Sequence, residues 1–109
     1  MKLPSTDQQW ENRELYSGLI RLHILHHAVH ESIYGLGMIE ELARHGYKLS
    51  PGTLYPLLHG LERKGFLRSS VVRNSQRARR LYRATRRGQQ ALREATEKVR
   101  ELFGELFGK

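Results

Sequence analysis

The stretch Ser50–Lys64, SPGTLYPLLHGLERK, decides the reading of this chain. Ser50 is a residue type that caps helices, and Pro51 suits the first helical position, where its missing N–H costs nothing, so a helix is predicted to start here. The orphan N–H groups of such an end point outward and suit a phosphate. Leu54, Leu57, Leu58 and Leu61 fall at i, i+3, i+4 and i+7, one apolar stripe facing a core, while Thr53, Tyr55, Pro56 and His59 point elsewhere and leave a second face free for a ligand. An ordinary amphipathic surface helix has the same features, and the flanking sequence separates the two readings. Gly60 weakens the helix by up to about 1 kcal/mol, and close packing against it is the expected reason for its presence.

Upstream, a helix is predicted from about Glu11 to His30. Leu15, Leu19, Leu22, Leu25 and Val29 keep helical spacing, and Ile20, Ile24 and Ala28 widen the stripe beyond what one small core needs, so part of it is expected to face a partner. Ser32 is read as the cap of a short helix over Gly35–His45 with Leu36, Ile39, Leu42 and Ala43 inward, ended by Gly46. The tight turn from Gly46 to Leu49 then gives a helix-turn-helix. Downstream, Phe66–Val72 and Ala78–Thr85 read as two strands around the polar loop Arg73–Arg77, a wing whose tip bears arginine. Tyr82 and Ala84 share one strand face and Leu81 lies on the other, an imperfect alternation that leaves the inward face open. Thr85 caps a last helix over Arg86–Phe107, about 33 Å long, more than a two-stranded hairpin can cover. Leu92, Ala95, Val99, Leu102 and Leu106 recur there at steps of three and four, a coiled-coil seam that Phe103 and Phe107 thicken. The alternative is a helix folded back on its own domain.

Charge narrows the function. In 109 residues there are 19 Lys plus Arg against 11 Asp plus Glu, a formal +8, which is the footprint of a nucleic-acid binder. From Arg63 to Arg93 there is no acid, so the basic surface belongs to the end of the reading helix, the wing and the start of the last helix. The absence of cysteine removes disulfides, thiolate metal sites and cysteine nucleophiles. No apolar run approaches the ~18 residues of a membrane span and MKLPSTDQQ lacks a signal core, so a chain acting in the cytoplasm, at the nucleoid, and not at a membrane is expected.

These residues resemble the PadR family of winged helix-turn-helix transcriptional regulators. The resemblance rests on Gly18 and the Leu/Ile-rich helix after it, Tyr34 and Gly35, SPGTLYPLLHGLERKGFL from Ser50 to Leu67, and RRLYRATRRG from Arg79 to Gly88. It implies a mainly α fold with a small β-hairpin, and N- and C-terminal helices that build a homodimer. It further implies that Ser50, Gly52, Thr53 and Tyr55 contact double-stranded DNA from the recognition helix, with Arg73 and Arg77 of the wing alongside. Three parts are expected: a flexible N-terminus over residues 1–10, the DNA-binding domain with its first helix over 11–85, and the dimerisation helix over 86–109. Some family members bind aromatic or drug-like effectors near the dimer interface, and Trp10 and Tyr16 are the candidates to line such a site for an aromatic or planar molecule.

His23 with His27 and His26 with His30 form two i,i+4 pairs that could each grip a metal on one helix face. Neither completes the three or four ligands a site needs, so no metal and no cofactor are expected. An enzyme would need a converging acid, base or nucleophile, and the helix-one histidines with Glu31 do not supply one. The function expected is a sequence-specific DNA-binding regulator, a dimeric repressor modulated by a small molecule. A structured-RNA-binding winged helix and a metal-responsive DNA-binding regulator are the alternatives.

Overall fold

The computed structural model describes the backbone of residues 6–74 and 76–108, and the side chains of residue 12 and of residues 14–74 and 76–108. The elements are α1 (Thr6–His30), α2 (Gly35–Arg44), α3 (Pro51–Arg63), β1 (Leu67–Arg73), β2 (Ala78–Ala84) and α4 (Arg86–Phe107). The helix α1 begins at Thr6 rather than near Glu11, so residues 6–10, expected as a tail, are helical. Apolar periodicity could not mark this turn, because residues 5–9 are polar throughout.

The core forms where α1 crosses the helix pair and the root of the wing. It consists of Ile20, Ile24, Leu25 and Ala28 from α1, Ile33, Met38 and Leu42 around α2, Leu54, Leu58 and Leu61 from α3, and Leu67 and Tyr82 from the strands. On α1 the widening residues Ile20, Ile24 and Ala28 are thus the core face, while Leu15 is left 74% and Leu19 43% exposed. On α2 the inward register is Gly35, Met38 and Leu42. Leu36, expected inside, is 62% exposed, and Ala43 is exposed too. The reason lies in what the helix packs on: α3 lays the Tyr55 hydroxyl end directly against Gly35, and this close approach turns Met38 and Leu42 into the core. Tyr34, not Ser32, occupies the N-cap and makes no side-chain capping bond. α2 ends at Arg44, with His45 as C-cap and Gly46 at φ 90°, the left-handed region glycine enters without strain.

The strands pair antiparallel in the register Leu67↔Ala84 to Arg73↔Ala78. Each lies within one residue of its predicted ends, and Leu67 with Tyr82 marks the inward face. The root of this wing is stitched to the start of α2 by a two-residue bridge. Ile33 N–H donates to the Tyr82 carbonyl at 2.9 Å, and Tyr82 N–H to the Ile33 carbonyl at 2.8 Å.

At the exit from the wing, Thr85 Oγ1 accepts the N–H of Gly88 at 3.0 Å and donates its own proton to the Gly65 carbonyl. Gly88 packs so closely on the Phe66 carbonyl oxygen that any Cβ would run into it. Gly60 is the opposite case, since nothing packs closely on it. Apart from its own helix backbone, the nearest atom a Cβ there would meet among the described residues is an Arg63 guanidinium nitrogen at 3.9 Å. Beyond this root α4 leaves the core. Leu92 packs on it, Ala95 is half-buried, and exposure then climbs from 42% at Val99 through 50% at Leu102 to 67% at Leu106.

Candidate nucleic-acid interface

The reading helix is held by its buried side. Leu54, Leu58 and Leu61 are inaccessible or nearly so, which fixes the rotation of α3 and leaves Ser50 and Gly52 at its start exposed and Thr53 half-buried. The Ser50 carbonyl accepts the N–H groups of Thr53 and Leu54 at 3.0 and 2.9 Å. Its hydroxyl does not cap the backbone and instead donates to Thr53 Oγ1 at 3.3 Å. Inside the helix Pro56 has no N–H to give, which removes the bond that the Gly52 carbonyl would otherwise receive. The first turn of α3 is therefore rich in backbone groups and small hydroxyls, a surface suited to a sugar-phosphate chain.

Tyr55 is divided between two tasks. Its ring is 38% exposed, yet its hydroxyl end lies directly over Gly35, where any Cβ would collide with it. Tyr55, expected to contact DNA, is thus partly a packing contact between α2 and α3. Among the aromatic neighbours of Tyr55 is His59, its ring centroid 6.3 Å away.

In the wing, Arg73 closes β1 and Arg77 follows the turn, both exposed. Asn74 Oδ1 accepts the N–H groups of Gln76 and Arg77 at 2.9 and 2.8 Å, an Asx arrangement that shapes the tip without a glycine. Ser75 lies outside the described residues. Several arginines of the basic segment are drawn into the fold itself, among them Arg87, whose guanidinium lies 5.5 Å from the Phe66 ring centroid. Arg79 stacks its guanidinium 4.1 Å from the Tyr34 ring centroid, and Arg80 donates to Ser69 Oγ at 3.0 Å. Ser69 in turn donates its hydroxyl and its N–H to Glu62 Oε2, at 2.8 and 3.1 Å. Charge along the sequence does not separate these structural arginines from those facing outward.

Tyr16 packs edge-on against Tyr47 with centroids 5.9 Å apart, at the α1–α2 face, and the Trp10 side chain lies outside the described residues. An open apolar groove runs instead between α1 and α4, lined by Leu15, Leu19, Leu22, Phe66, Ala91 and Ala95. Of the histidine pairs, His26 and His30 sit with ring centroids 4.8 Å apart. His23 and His27 gain two companions that helical spacing on α1 cannot reveal, Glu41 and His45. Burial, with three neighbouring imidazoles adding to it, holds His23 below the usual histidine range, and the hydrogen bond from His45 is the main influence lowering Glu41.

With the helix pair, wing and basic segment in place, the chain can be set beside known proteins. The family described as the transcriptional regulator PadR-like family matches residues 24–94, from within α1 through the wing to the first turns of α4. The chain belongs to this family. Transcriptional regulator Rv3488 of Mycobacterium tuberculosis is 49% identical to it over 96 residues, 88% of this chain and 90% of that protein. Among solved structures, a PadR family transcriptional regulator from Eggerthella lenta aligns with TM-score 0.76 and 32% identity, over 87% of this chain and 84% of that one. A PadR-like transcription factor from Bacteroides fragilis aligns with TM-score 0.77 and 26% identity, over 89% and 95%. This PadR-like chain is accordingly a DNA-binding transcriptional regulator with a winged helix-turn-helix fold. No helix among its described residues is long and apolar enough to cross a membrane.

Proposed function

We infer that this PadR-like regulator works as a homodimeric repressor, reading a palindromic duplex with two copies of α3 and steadying each with a wing. The observation that carries the reading is the exposure along α4. Val99, Leu102, Phe103, Leu106 and Phe107 all stand beyond the core with 42% or more of their surface open, and a contiguous apolar strip of this kind calls for a partner. A second copy of the same helix supplies the matching a/d seam and sets the two reading helices about one duplex turn apart, roughly 34 Å. Repression is the sense that the family resemblance carries. The α1–α4 groove, beside that seam, is where an aromatic or planar effector would act on the spacing of the heads, and such a regulator acts at the nucleoid in the cytoplasm.

The test is a fluorescence-anisotropy titration against a duplex selected in vitro by the wild-type protein. Thr53→Ala is expected to lose about 1–3 kcal/mol of discrimination between that duplex and a scrambled one, with the fold unchanged by circular dichroism. Equal affinity of the variant for its selected site would remove α3 as the reader. Preference for a structured RNA hairpin over the duplex would favour the RNA-binding alternative.

A further inference from the structure

Where α1 crosses α2, nitrogen-bearing rings from well-separated parts of the sequence meet. His23 and His27 stand one turn apart on α1, and one ring nitrogen from each, together with one from His45 at the end of α2, all lie within 4.8 Å of one another. Glu41 reaches into the same space, its Oε2 3.4 Å from His27 Nε2 and 3.0 Å from His45 Nε2. Its other oxygen is held by Arg44, which orients the carboxylate. The His23 and His45 rings stack with centroids 4.5 Å apart, and Tyr47 closes one side at 5.5 Å from His23. His23 and His27 are half-buried and His45 is exposed, so the cluster has a supported floor and an open side.

We propose that His23, His27 and His45, with Glu41 beside them, form a binding site for a divalent transition-metal ion of the zinc and nickel class. Three imidazoles and a carboxylate or water are a donor set that suits such ions, which favour nitrogen at about 2.0–2.1 Å. Nitrogens bound to one tetrahedral ion stand about 3.3 Å apart, a distance that follows from that bond length. The ring nitrogens here lie within 4.8 Å of one another, and side-chain rotation, for which the exposed His45 has the most room, would bring them to it. The site also fits the charge pattern of the protein. In a chain of net charge +8, Glu41 places a negative charge beside the imidazoles, and its carboxylate draws two of them and a guanidinium. An ion there would tie α2 to α1, and because it binds the folded chain it would raise the melting temperature as its concentration exceeds its dissociation constant. The proposal concerns the ion alone and stands whether or not α3 reads DNA as described above.

The experiment uses the full chain without any histidine tag, stripped by a chelator and then titrated with zinc sulfate and, separately, nickel sulfate. Calorimetry is expected to give one ion per chain with micromolar or tighter affinity, together with a zinc-dependent rise in melting temperature. His45→Gln and His23→Gln should each weaken binding by roughly tenfold or more, and His30→Gln, on the other α1 pair, should leave it unchanged. Zinc-edge X-ray absorption on the wild-type protein, which needs no variant to fold, should show scattering from three imidazoles. Affinity weaker than micromolar, binding that survives His45→Gln but is lost with His30→Gln, or a coordination sphere dominated by oxygen would each overturn the site.

Discussion

A methyl group added at Gly60 would sit at ordinary van der Waals distance from Arg63, and the backbone there is regular right-handed helix. Gly60→Ala is therefore expected to stabilise the domain by about 0.5–1 kcal/mol through helix propensity. Gly88→Ala should do the reverse, costing about 1–3 kcal/mol or more because the methyl would drive into the Phe66 carbonyl. Urea denaturation reads both as shifts of the midpoint at constant slope. The sequence marks these glycines equally, since what distinguishes them is a neighbour from another element. Tyr82 carries a similar hidden cost. Its ring is fully buried, its hydroxyl has no hydrogen-bond partner among the described residues, and burial pushes the phenol above its usual range. Tyr82→Phe should leave stability unchanged or raise it by about 1 kcal/mol, by ending the desolvation of an unpaired group. A clear loss in the same denaturation would show that the hydroxyl is satisfied in solution.

Each element was legible in the sequence to the extent that its own residues determine it. The α3 stripe of Leu54, Leu58 and Leu61 and the wing strands depend on local periodicity and are found almost at their predicted limits. The inward face of α2 is not local in that way. It turns on the contact of Gly35 with Tyr55 of α3 and on the bridge that ties Ile33, just before the helix, to Tyr82 far along the chain. The His23–His27–His45 cluster was invisible for the same reason, because only the crossing of two helices brings its third imidazole to the other two. Within the wing, the split between structural and outward arginines predicts different behaviour. Replacing Arg73 and Arg77 by Ala should weaken specific and random duplex alike and flatten the salt dependence, by about 0.9 in slope for each phosphate no longer neutralised. Arg80→Ala, which empties the bond to Ser69, should lower stability as well as affinity. An unchanged salt slope for Arg73→Ala with Arg77→Ala would place the tip in solvent.

At the scale of the whole molecule, α4 is a beam rooted at Leu92 and bare at its far end. Val99→Glu with Leu102→Glu puts charge into the strip that a second copy would cover, so sedimentation should show monomers, and binding to a palindrome should fall further than binding to a half-site. A dimer that persists would move the interface elsewhere, with Leu15 and Leu19 of α1 the next exposed surface. The even spacing along α4 was readable in advance, but which of its residues the core would claim was not, because that depends on where α1 crosses it. The molecule also keeps two clocks. A backbone amide trades its proton for deuterium only when its bond opens. The amides of Ile33 and Tyr82, donors to each other's carbonyls, can do so only when the wing parts from the body, whereas those of Gln76 and Arg77, held by one Asn74 oxygen, need only the tip to loosen. Labelling should therefore find the bridge pair exchanging together and late, with the tip exchanging early. Such a wing can bend at its end to follow a groove of varying width while its root keeps the slow pace of the core.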